Sequence, residues 1–224
     1  MNWLAVSGFG GLVGLDATSF AQTMISRPLV AATITGVMLG RPAEGLFLGS
    51  ILELFALVIL PVGAARYPES GTAAVAATAA YMAATPLLSP AVVLLAVLFS
   101  LLWEHVGGLT VVWARRFNER LVVLDVDSAE PGFDRLLERR HRLTLVVDFL
   151  RAFVVTVSGM LVGGLALRGL AQLWSLDATI APAILSIGTA CMVGAALPLF
   201  GGWRARKTAF GIGLALGFLL LQLR

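Results

Sequence analysis

Charge is what this chain has least of. Asp, Glu, Lys and Arg together make up 13% of its 224 residues, about half of the roughly 25% found in soluble domains. A water-facing shell cannot be built from so few polar ends, however large the core beneath it. With 58% of residues hydrophobic, the composition excludes a soluble globule and predicts an integral membrane protein. Cysteine is nearly missing too. The single one, Cys191, excludes an internal disulfide and any two-thiol redox or zinc motif. Its apolar surroundings predict a small buried packing residue. There is no Gly-Lys-Ser/Thr phosphate loop and no His/Cys cluster for a metal, so neither cofactor nor metal is expected. No Lys or Arg precedes Arg27. A cleavable signal peptide would need a basic start, so the first apolar stretch is expected to be retained.

The charges that are present are unevenly placed. Of sixteen basic residues, eight (Arg115, Arg116, Arg120, Arg135, Arg139, Arg140, Arg142 and Arg151) fall in one central stretch, and Arg204, Arg206 and Lys207 form a second cluster. Basic loops at the ends of apolar segments mark the cytoplasmic side, which predicts that 115–151 and 204–207 are cytoplasmic. Nucleic-acid binding is not expected, since the clusters lack interleaved aromatics or a reader motif.

Charge-free runs locate the spans. A crossing helix needs about 20 residues, and seven or eight apolar segments are present. Those at 1–15 and 28–40 are too short for an upright crossing and read as re-entrant or broken helices, which membranes tolerate only where they are buried or line a cavity. Residues 70–103 suit a helical hairpin turned at Thr85–Pro90, where two prolines resist helix continuation. Further spans follow at about 152–173, 178–203 and 208–223. The intervening 114–151 alternates apolar and charged residues at helical spacing around a break at Glu130-Pro131-Gly132. It reads as an amphipathic, surface-lying connector. The expected organisation is an N-terminal membrane half (1–113), a cytoplasmic connector (114–151) and a C-terminal membrane half (152–224). Two similar strings, TGVMLG at 35–40 and SGMLVG at 158–163, hint at a repeat. Glycine pairs at four-residue spacing, such as Gly10/Gly14 and Gly36/Gly40, suit close helix packing in lipid.

One acid stands out. Glu53 lies inside the otherwise apolar stretch from Gly45 to Ala65. A carboxylate at that depth costs about 3 kcal/mol on insertion scales and marks a polar pathway or site. Just before it come Asp16, Gln22, Ser26 and Arg27, which set several hydrogen-bonding side chains against membrane-grade sequence, as a transporter subunit would. Each has a structural alternative. Asp16 can cap a helix. Gln22 can bridge two helices. Arg27, directly before Pro28, can pair Asp16 or a helix C-terminus. Glu69 is expected at a membrane boundary, with a gating role as its functional alternative.

The string GLD…Q…ISRPLVA, then TG..LG, then G…G..LEL and P.GA…P with an acid, from Gly14 to Glu69, resembles the C subunit (IIC) of the mannose–fructose–sorbose family of sugar phosphotransferase permeases. The likeness covers about a quarter to a third of the chain. From Thr72 onward it is one of hydropathy and length. It implies an all-α subunit of the bacterial cytoplasmic (inner) membrane, paired with a homologous IID membrane subunit and oligomeric. A hexose or amino sugar would be bound within the bilayer and carried inward by a moving core. Soluble IIA and IIB carriers would supply the phosphoryl group, so the chain is no enzyme on its own. His105 and His141 are accordingly not expected to be phosphorylated, and neither has a nucleophile-and-base arrangement near it. Two alternatives stay open: a scaffold or receptor subunit that does not translocate sugar, and an ion-coupled carrier outside the phosphotransferase class.

Overall fold

The computed structural model describes residues 3–57, 68–85, 89–122, 133–173 and 179–222. The Pro61–Tyr67 part of the motif, the tip of the Thr85–Pro90 turn and the Glu130–Gly132 break lie outside the described residues. Among those described there are eight α-helices, one 3-10 turn and no strand: α1 (Trp3–Thr18), α2 (Pro28–Met38), α3 (Pro42–Ala56), α4 (Ser70–Ala84), α5 (Pro90–Val122), α6 (Phe133–Leu173), α7 (Ile180–Ala196) and α8 (Gly202–Gln222). Three described segments, Pro90–Arg120, Phe133–Leu173 and Ile180–Leu199, are long and apolar enough to cross a membrane. The chain is an all-α, multi-pass membrane protein, as its composition requires.

The core forms around α4. Its sequence, SGTAAVAATAAYMAA, favours helix through alanine and offers small side chains on every face. A helix apolar all round is a buried one, and every residue from Gly71 to Tyr81 is buried. α4 touches α1, α2, α3, α5 and α6. The approach is close because the neighbours are small as well. A Cβ added at Gly159 of α6 would lie 2.8 Å from the Ala76 Cβ, and one added at Gly14 of α1 would lie 2.1 Å from the Ala152 Cβ. Where hydrocarbon surrounds the protein, such packing rather than water exclusion holds helices together.

α2 and α3 are short, rising about 17 and 23 Å, and form a tight hairpin. Gly40, at φ +75°, supplies the turn. Gly36 and Gly45 then let the two backbones meet: a Cβ on Gly45 would sit 2.5 Å from the Ala32 carbonyl oxygen. The hairpin tip is tied to the C-terminus of α4. Arg41 donates from Nη1 to the Thr85 carbonyl at 2.6 Å and the Met82 carbonyl at 3.2 Å, a cation on the negative end of a helix. Arg41 is itself paired with Glu44, which accepts from the Tyr81 hydroxyl at 2.9 Å.

Several expectations change. Residues 114–122 continue α5 and residues 133–151 are the first half of α6, so helix runs unbroken through both edges of the expected connector. The two similar hexapeptides take different local structures: 35–40 ends α2 and turns, whereas 158–163 lies inside α6. Cys191 is exposed rather than buried, because α7 packs on α3 and α5 with one face and turns the other outward.

Candidate functional site

The loop between α1 and α2 is built on Asp16. Its carboxylate, 4% exposed, takes four donors: the Thr23 amide, the Thr23 hydroxyl at 2.7 Å, the Ser26 amide at 3.0 Å and the Ser26 hydroxyl at 2.8 Å. A carboxylate has about four lone-pair positions, so none is left over. The bonds hold a strained segment. Ala21, Gln22 and Met24 have φ of 69°, 51° and 67°, a region that costs a non-glycine residue about 1–2 kcal/mol. Hydrogen bonds to a charged acceptor contribute about 1.5–3 kcal/mol each, so four of them outweigh three such residues. Asp16 therefore caps neither flanking helix. It shapes the loop and leaves the Gln22 side chain exposed.

The loop delivers Arg27 to Glu53. Arg27 donates from Nε to Glu53 Oε1 at 2.8 Å and from Nη2 to the same oxygen, and Glu53 Oε2 accepts the Leu29 amide at 3.2 Å. Local sequence explains the geometry. Pro28 opens α2 without an N–H to satisfy, and Leu29, next along, carries one of the orphan amides of a helix start. Glu53 sits in the last turn of α3, where the helix dipole disfavours an acid; the Arg27 guanidinium and the N-terminus of α2 offset this. Arg27 thus pairs Glu53 rather than Asp16. The two side chains are 36% and 20% exposed, and among the described residues Glu53 Oε2 accepts from the Leu29 amide alone.

A second charged group lies deeper. Glu69, one residue before α4, is fully buried and grips Arg151 of α6 with both oxygens, at 2.8 Å each. Arg151 also donates to Asp148 at 2.7 Å and to the Thr110 hydroxyl at 3.0 Å, while Thr18 and Ser19 donate to the other Asp148 oxygen. Two acids and one base thereby join α1, α4, α5 and α6. Gly14 and Gly107 make room for it: a Cβ on Gly107 would lie 2.8 Å from Glu69 Oε2.

The structure thus brings Asp16, Ser26, Arg27 and Glu53 together around one loop, with Gln22 on its outer side, and sets Glu69 apart in the ion cluster. Sequence reasoning missed Asp148 and counted Arg151 among the basic residues of a surface segment. The available signal was the i, i+3 opposite-charge spacing of Asp148 and Arg151 directly before the apolar run from Ala152 to Ala166.

Residues 2–178 match the family described as the sorbose-specific IIC component of the phosphotransferase system. Among curated proteins, the chain is 40% identical over 76 residues to the sorbose-specific EIIC component of Lacticaseibacillus casei, covering 34% of this chain and 25% of that one. It is 31% identical over 134 residues to the fructose permease IIC component of Bacillus subtilis, covering 58% and 47%. It is 34% identical over 73 residues to the mannose-specific EIIC component of Escherichia coli K12, covering 33% and 25%. The matches span about a quarter to a half of the length of these relatives. A solved structure titled "Structure of membrane protein" shares the fold, with TM-score 0.64 at 19% identity over 99% of this chain and 94% of that one.

Proposed function

We propose, from the premise that the chain belongs to the sorbose-specific IIC family of the phosphotransferase system, that it is the sugar-translocating membrane subunit of a mannose-type complex. It binds a hexose or amino sugar beside Arg27 and Glu53 and releases it to a soluble IIB phospho-carrier at the cytoplasmic face of the inner membrane. A homologous IID subunit completes the membrane part. The observation that carries this reading is the partly exposed Arg27–Glu53 pair in membrane-grade sequence. An ion pair open to lipid is costly, so its free side faces an aqueous hollow or a partner. Sugar recognition needs convergent donors and acceptors, and this side supplies both. Glu53 Oε2 accepts from a sugar hydroxyl, while the Arg27 guanidinium and the Gln22 amide donate to sugar oxygens. Asp16, with its acceptor positions filled, positions the loop and does not touch the sugar.

The test is uptake by Glu53→Gln and Asp16→Asn in cells carrying the whole complex, with membrane insertion and pairing with the IID subunit checked alongside. Both substitutions are expected to abolish uptake while insertion persists. Asp16→Asn acts by turning two amide hydrogens toward donors, which opens the loop. Full uptake by Glu53→Gln would remove the site. A wild-type complex that assembles but accumulates no sugar phosphate would favour the scaffold.

A further inference from the structure

α5 and α6 are longer than a membrane is thick. Their 33 and 41 residues rise about 50 and 60 Å, against a hydrocarbon layer of about 30 Å. Both surpluses lie at one end, past Trp113 on α5 and before Asp148 on α6. In that projecting arm, the described residues of 114–122 and 133–147 carry seven arginines against three acids, Glu119, Asp134 and Glu138.

The arginines are not merely scattered over a solvated face. Arg120 of α5 and Arg139, Arg140 and Arg142 of α6 line one open cavity of about 620 Å³, together with Leu143 and Val146. Arg142 bonds Glu138 one turn back, and that pair is largely exposed, so its remaining N–H groups stay available. Leu143 and Val146, 45% and 53% exposed, form with Leu136 an apolar floor among the guanidinium groups. Position along α6 sets the order of the lining residues. Val146, Leu143 and Arg139 stand about 8, 12 and 18 Å along the helix from Arg151. The polar headgroup layer is roughly 5–8 Å deep on each side. The roughly 10 Å from Val146 to Arg139 is comparable to that depth, with Leu143 and Val146 on the side toward the membrane-spanning part of α6 and Arg139 on the other.

We propose that this cavity is a binding site for an anionic phospholipid. The lipid phosphate is held by Arg120 and Arg139 across the gap between the helices, and the glycerol and first acyl carbons rest on Leu143 and Val146. A free phosphate would use the arginines and leave the apolar floor wet. A lipid uses both, and basic pockets at the ends of membrane helices suit such headgroups. The bound lipid would fix the α5–α6 arm to the membrane face and so steady the turn of α6 that carries Asp148 and Arg151. This inference requires only that the chain spans the membrane and does not depend on the sugar reading.

The full chain, reconstituted in nanodiscs of phosphatidylcholine with or without phosphatidylglycerol, is transferred to zwitterionic detergent, and retained lipid is counted by native mass spectrometry. Wild type is expected to retain phosphatidylglycerol in preference to phosphatidylcholine, and inorganic phosphate is expected not to displace it. Arg120→Gln and Arg139→Gln should each weaken retention about fivefold. Arg135→Gln removes the same charge from an exposed position on α6 outside the cavity and should retain the lipid as wild type does. Equal retention of both lipids would overturn the proposal, as would an equal loss in Arg135→Gln, which means diffuse attraction. Displacement by inorganic phosphate would reassign the cavity to a free anion. Binding of a purified IIB-type carrier at these arginines without retained phosphatidylglycerol would reassign it to a protein face. Unchanged thermal unfolding of the variants in zwitterionic detergent keeps these outcomes distinct from misfolding.

Discussion

Arg151→Met tests the buried ion cluster most severely. Arg151 makes four side-chain hydrogen bonds, two to Glu69, one to Asp148 and one to Thr110, and the three charged side chains are at most 4% exposed. Methionine fills much of the same volume but leaves two carboxylates in a dry site. Asp148 keeps its bonds from Thr18 and Ser19, whereas Glu69 keeps none of its two side-chain bonds. Removing one partner of a buried pair costs about 3–5 kcal/mol. At roughly 2–4 °C per kcal/mol for a chain of this size, the melting temperature in mild detergent should fall by roughly 10 °C. Glu69→Gln should cost less, about 1.5–3 kcal/mol, because the neutral pair of Arg151 and Asp148 survives it. The double variant should recover part of the Arg151→Met loss, since one stranded charge is gone. Glu138→Gln is the internal control. Its partner Arg142 is 71% exposed, and an exposed helix pair contributes about 0.3–0.5 kcal/mol. If Arg151→Met melts within a degree or two of Glu138→Gln, the cluster is not holding these helices together.

Two further outcomes follow from packing. Gly45→Ala places a Cβ 2.5 Å from a backbone oxygen and should split the α2–α3 hairpin, lowering both melting temperature and sugar uptake. Gly213→Ala meets nothing within 4 Å and should be neutral or stabilise α8 by up to about 1 kcal/mol. Arg41→Met leaves the Met82 and Thr85 carbonyls without their cation. It should raise hydrogen exchange in the last turn of α4, with a cost of about 1.5–3 kcal/mol read from thermal unfolding.

Local composition made the helical membrane architecture legible. Thirteen apolar residues between Arg27 and Arg41 already required a short helix, and 34 charge-free residues from Ser70 to Trp103 already required a hairpin. Glu53 was legible for the same reason, since a lone acid in an apolar run is costly wherever it sits. What escaped was pairing across distance. Glu69 and Arg151 are 82 positions apart, and no local periodicity relates them. Arg151 was read with its arginine-rich neighbours because charge density says nothing about which way one side chain turns. In the fold it faces Glu69, through the space that Gly14 and Gly107 leave. The role of Asp16 was hidden likewise. Its partners, Thr23 and Ser26, are ordinary loop residues until positive φ at Ala21, Gln22 and Met24 curls the chain back toward the carboxylate.

The sugar site itself is tested most directly by protection from labelling. In a Cys191→Ser background, which removes the one exposed native thiol, Gln22→Cys places a single reporter on the loop beside Arg27 and Glu53. With the assembled complex in vesicles, a membrane-impermeant maleimide should label that thiol from one aqueous side. Among a panel of hexoses and amino sugars, the transported one should slow the labelling, and Glu53→Gln should abolish the protection. Labelling at the same rate with every sugar that the complex transports would contradict a carbohydrate site at Arg27 and Glu53.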